Sequence, residues 1–104
     1  MTKIVSVYAV FADVQEACRI GGQMVEEQLA ACVNVLGECH SIYRWQGKVE
    51  VATEAAAIFK ARADKAGALV ARIAELHSYD VPAITVWPIE QAWPDYADWV
   101  EAEG

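Results

Sequence analysis

The chain opens with an almost unbroken apolar run, Ile4 to Phe11, rich in Val, Ile and aromatic residues. That pattern is expected of a strand buried on both faces. The period then changes. Asp13, with Glu16 three residues later, forms an Asx variant of the capping box and opens a helix. Ala17, Ile20, Met24 and Val25 recur at helical spacing, with Glu16, Arg19, Glu26 and Glu27 mostly opposite, which predicts a helix from Val14 to about Leu29. Gly21-Gly22 inside it costs about 1 kcal/mol per glycine relative to Ala, so close packing against a sheet is expected there.

Two long strand-like runs follow, Ala30 to Trp45 and Lys48 to Arg62. Between them Gln46-Gly47 reads as a two-residue hairpin turn, with Gly supplying a positive φ. The lone Gly37 in the first arm predicts a bulge. Ala52 to Ala57 is alanine-rich but is read as strand, because Ile58-Phe59 resumes the apolar run. Asp64 is expected to cap a second helix whose Leu69, Val70, Ile73 and Leu76 face a core. A connector, His77 to Pro82, leads to a short edge strand from Ala83 to Trp87 with Pro88 just after it. A last helix is predicted from about Pro94 to Ala102.

The order strand, helix, strand, strand, helix, strand and helical tail is a split βαβ arrangement, an α+β domain with a four-stranded antiparallel sheet and both main helices on one face. Length sharpens this. The first ribbon arm has 16 residues, and at ~3.3 Å per residue it would reach roughly 50 Å if straight. A domain of about 100 residues has a radius of gyration near 13 Å. The ribbon must therefore bend, break or lie against another subunit. Its apolar edge favours pairing with a second copy.

Composition narrows the class. At 104 residues the chain is one domain, residues 1–104, and 56% hydrophobic content excludes disorder. A formal net charge of −7 disfavours binding to nucleic acid. No apolar run approaches the ~18 residues that span a bilayer. Cys18, Cys32 and Cys39 have no metal or disulfide spacing, and Cys18 and Cys32 read as small buried hydrophobes. The odd thiol points to a reducing compartment, and a cytoplasmic location is expected. Lys3 with Ile4 to Ala12 loosely mimics a signal peptide, but cleavage there would remove the best central strand. No nucleophile with an adjacent base, phosphate-cradling loop or spaced metal triad is present, so an enzyme is not expected.

Several residue blocks together carry a resemblance: Ala30-Ala31-Cys32-Val33-Asn34-Val35, then Ser41-Ile42-Tyr43-Arg44-Trp45-Gln46-Gly47-Lys48-Val49-Glu50, Ile58-Phe59-Lys60-Ala61-Arg62, His77-Ser78-Tyr79-Asp80-Val81-Pro82, and the pair Tyr96 and Trp99. Along essentially its whole length the chain resembles the CutA family of divalent-cation tolerance proteins. The resemblance implies a ferredoxin-like βαββαβ subunit with a long hairpin and a short C-terminal helix. It also implies a homotrimer joined through those hairpins and a role in the response to metal ions. Weak binding of Cu(II) or another divalent cation is implied too, with no cofactor required by any motif. The family's cation site draws on a cysteine, a histidine and a glutamate, which fall here at about Ala9, at His77 and at Ala83. Only the imidazole remains, and copper favours thiolate and imidazole together.

His77 is accordingly the candidate metal ligand, with Asp80 a further oxygen donor; the competing reading is a hydrogen-bonded histidine at a helix end. Cys39 and His40 are adjacent on a strand and point to opposite faces, so they could share an ion only across a bulge near Gly37 or from different subunits. Tyr43 and Trp45 share a strand face by their spacing of two. With Lys60 and Tyr79 they form a candidate intersubunit-cleft set. A lysine in an apolar stretch wants an anionic partner, either Glu50 or Glu54 or a small anionic ligand. The alternative function is therefore a trimeric regulator, similar in architecture to PII proteins, that binds a small anion or a protein partner in the cleft.

Overall fold

The computed structural model describes residues 2–104. Its elements are β1 (Ile4–Phe11), α1 (Val14–Glu26), β2 (Cys32–Trp45), β3 (Lys48–Arg62), a 3-10 turn (Ala63–Lys65), α2 (Ala66–Leu76), β4 (Ile84–Pro88) and α3 (Pro94–Glu103). The four strands form one antiparallel sheet in the order β2-β3-β1-β4. This is the expected βαββαβ order with a helical tail.

Alternation along the strands builds the core. Val5, Val7, Ala9 and Phe11 of β1 stand opposite Ala61, Phe59, Ala57 and Ala55 of β3. All eight are buried with Ala17, Ile20 and Met24 of α1 and Leu69 and Ile73 of α2. Val70 and Leu76 pack at the margin, whereas Val25 of the predicted stripe is exposed. On the opposite sheet face α3 closes one end, packing Ala97 and Val100 on Ile4 and Ala31.

Gly21 confirms the close-packing expectation, since a Cβ there would lie 3.0 Å from Val33 Cγ1. Gly22 does not, because a Cβ there would meet nothing within 4 Å. Helix α1 stops at Glu26 rather than Leu29. Gln28 turns left-handed (φ 59), and the bonds Gln28 N–H to Val25 O and Leu29 N–H to Met24 O complete a Schellman motif. Asp64 does not cap α2. Its carboxylate instead accepts two bonds from the Arg62 guanidinium, at 2.9 and 2.7 Å, and a 3-10 turn leads into the helix. Strand β4 is one residue later than expected and takes in Pro88.

The hairpin keeps its register to the tip, Trp45 opposite Lys48, with Gln46 (φ 50) and Gly47 (φ 81) both left-handed as a type I′ turn requires. One residue is extra between Val35 and Gly37, and Gly37 has φ 93, so the predicted bulge is present. The ribbon nevertheless projects. The molecule measures 44 × 25 × 22 Å, with a radius of gyration of 14.1 Å.

Candidate functional site

The connector after α2 is held by a small buried polar cluster. His77 has no exposed side-chain surface. Its Nε2 bonds the Val10 carbonyl oxygen at 2.8 Å, and its Nδ1 accepts the Tyr79 N–H at 3.0 Å. A carbonyl can only accept and an amide N–H can only donate, so the ring is the neutral Nε2–H tautomer. The imidazole also stacks on Phe11, with centroids 5.1 Å apart.

Glu16 completes this cluster. Its Oε1 accepts from the Ala12 N–H at 3.0 Å and its Oε2 from the Ser78 N–H at 3.1 Å, while Asp13 Oδ1 accepts from the Glu16 N–H. The capping box is thus displaced by one residue, with Ala12 rather than Asp13 as the reciprocal donor. Burial pushes the Glu16 carboxyl up. The bonds from Ala12 and Ser78 outweigh burial and hold it below its ordinary value.

These contacts bear directly on a metal at His77. Both ring nitrogens already hold backbone partners, Ala9 is wholly buried in the core, and Ala83 brings no donor. No group of three or more His, Cys, Asp or Glu side chains converges among the described residues. A resident copper ion does not fit this donor set.

Beyond the connector, on the sheet face away from α1 and α2, lies a cavity of about 530 Å³. Ser41, Tyr43 and Trp45 line it from β2, Glu54 from β3, Val10 from β1, and Tyr79, Asp80, Val81 and Ala83 from the connector. Alternation explains the convergence. Glu54 stands opposite Cys39, which places it on the same face as Ser41, Tyr43 and Trp45. Glu54 is only 9% exposed, and its Oε2 accepts the Tyr79 hydroxyl at 2.7 Å. Burial first, then this bond and the Glu54 charge, hold the Tyr79 phenol well above the usual tyrosine range, so it stays a donor.

Three of the four residues expected in the cleft, Tyr43, Trp45 and Tyr79, therefore meet within one subunit, and Asp80 joins them. Lys60 does not. It lies between Cys32 and Ser6, six positions along β3 from Glu54, roughly 20 Å at the strand rise. Glu54 takes Tyr79 instead of Lys60, and among the described residues no carboxylate forms a salt bridge with Lys60. Cys18 is exposed and Cys32 is half-buried, with its sulfur 3.5 Å from the Tyr96 hydroxyl, so neither is the buried hydrophobe expected. Glu54 carried no sequence signal as a lining residue beyond being an acid in an alanine-rich strand. Glu16 was legible only as a cap.

The model of the CutA1 divalent ion tolerance protein family matches residues 5–103. The chain belongs to the CutA1 family. Among its relatives is the divalent-cation tolerance protein CutA of Archaeoglobus fulgidus, 37% identical over 95 residues, which cover 91% of this chain and 92% of that protein. The CutA homolog of Xenopus laevis is 44% identical over 77 residues, 74% of this chain but only 51% of that longer protein. The crystal structure of CutA from Xylella fastidiosa superimposes with a TM-score of 0.95 at 31% identity, covering 98% of both chains. Membership of the CutA1 family makes the chain a divalent-cation tolerance protein by descent.

Proposed function

We propose that the chain acts as a homotrimeric binding protein, not an enzyme, in cytoplasmic tolerance of divalent cations, with no resident cofactor. The observation that carries the assembly is the tip of the hairpin. Ile42, Val49 and Val51 share one face beyond the helices and are 73%, 63% and 70% exposed. A patch of that kind on a projecting ribbon marks an interface. Trp87 and Val86 on the edge strand β4 are also exposed and offer the complementary edge. Three unpaired cysteines support a reducing compartment.

Cu(II) or another divalent cation is bound weakly and without His77, whose ring nitrogens are engaged inside the subunit. Sedimentation equilibrium tests the assembly: the expected mass is three times the subunit's 11.4 kDa, and a monomer would overturn it. Calorimetric titration with Cu(II) tests the ion reading. Equal heats are expected for wild type and His77→Ala once both are confirmed folded. Heats lost only in the variant would restore the imidazole as a ligand.

A further inference from the structure

The cavity above the connector has the opposite charge to the one the aromatic and lysine set suggested. Lys60 lies outside it, and no Lys or Arg lines it. Its charged lining groups are Glu54 and Asp80. Glu54 is the informative one, being nine-tenths buried with one oxygen on the Tyr79 hydroxyl. Among the described residues its other oxygen has no hydrogen-bond partner but is not sealed from solvent, and the carboxylate has no salt-bridge partner. A carboxylate this largely buried keeps little of its solvation, with one neutral partner and one oxygen open to solvent, and a cation placed beside that oxygen compensates its charge.

The rest of the lining suits a cation with an apolar body. Tyr43, Trp45 and Tyr79 contribute ring surface, and ring faces attract ammonium groups electrostatically. The volume of about 530 Å³ falls in the range of small-molecule sites that combine an apolar lining with a few fixed polar groups. A bare divalent ion would use the carboxylates but not the aromatic walls, and an anion would face Glu54 and Asp80 directly.

We propose that this cavity binds a small organic cation, an amine carried on an apolar or aromatic body, with Glu54 taking the ammonium and Tyr43, Trp45 and Tyr79 enclosing the rest. The Tyr79 hydroxyl, donating to Glu54 Oε2, holds the carboxylate so that its other oxygen is left for the ligand. Asp80, exposed at the mouth, adds long-range attraction. This binding is independent of the metal reading, since it uses neither His77 nor a metal ion.

Calorimetry of the full chain in its solution assembly, with benzylamine, benzyl alcohol and benzoate as matched probes, tests the proposal. Benzylamine is expected to bind with a dissociation constant at or below about 1 mM, within what so few atoms can supply. The alcohol should bind at least ~10-fold more weakly, the scale of one charge-assisted hydrogen bond, and benzoate not at all. Glu54→Gln, which keeps an acceptor for the Tyr79 hydroxyl, should lose the preference for the amine. Asp80→Asn, on an exposed loop, should weaken the amine severalfold and leave the alcohol unchanged. Equal binding of amine and alcohol by the wild-type protein overturns the proposal whatever the variants do. So does absence of benzylamine binding, the result expected if a neighbouring subunit's basic side chain already occupies Glu54.

Discussion

At the scale of single residues, neighbouring positions with the same sequence signal have different physical roles. Gly21 and Gly22 are adjacent in one helix, yet only Gly21 faces Val33. Gly22→Ala should therefore raise stability by up to about 1 kcal/mol through helix propensity alone. Gly21→Ala should lower it, because its Cβ must displace a β-branched side chain fixed in the sheet. Thermal unfolding of the two variants side by side checks this, and the sign of each change is the readout. Glu16 gives a second prediction at this scale. Its carboxyl is held below the ordinary 4.5, so the folded state gains stability above that value and loses it as pH falls through the lower folded value. Glu16→Gln should accordingly be most destabilising near neutral pH, with the gap to wild type closing in acid. A pH series of melting temperatures would show it, and a constant gap would count against the carboxylate.

At the scale of elements, the ribbon and the connector show two ways in which sequence specifies structure. The hairpin was readable because its turn chemistry and its bulge are both local: Gln46-Gly47 and Gly37 adopt the positive φ values expected of them. The end of α1 was not readable, because the stop is Gln28 in a left-handed conformation with no glycine to mark it. Replacing it, Gln28→Gly, should stabilise by roughly 1 kcal/mol by removing the Cβ penalty, measurable by urea denaturation. The connector depends on contacts distant in sequence, Val10 with His77 and Glu16 with Ser78. His77→Ala removes the Phe11 stack and both ring bonds. A loss of about 2–4 kcal/mol is expected, with faster hydrogen exchange at the Tyr79 amide as its local signature.

For the whole molecule, the excess of hairpin over globule is the dominant fact. A subunit 44 Å long with its longest strands extending past the helices leaves Ile42, Val49 and Val51 in water. Val51→Asp places a charge in that patch without touching the core, so it should leave the subunit folded and weaken its assembly. Sedimentation and circular dichroism measured together separate the two effects. Retention of the full assembly by this variant would show that the hairpin tip is not the contact.

The sequence by itself determined the order of elements, the βαββαβ class, the turn, the bulge and the family, because each is carried by local periodicity, turn chemistry or contiguous motif. It also identified Tyr43, Trp45 and Tyr79 as belonging together. What only the tertiary structure decided is the charge of the place where they meet. Lys60 and Glu54 lie on the same strand, and nothing local says which of them reaches the aromatic residues. The register of β2 on β3 and the path of the connector bring Glu54 under Tyr79 and leave Lys60 roughly 20 Å away. The hydrogen-bond partners of His77 were decided in the same way. Its ring was available as a ligand until long-range packing gave both nitrogens backbone partners.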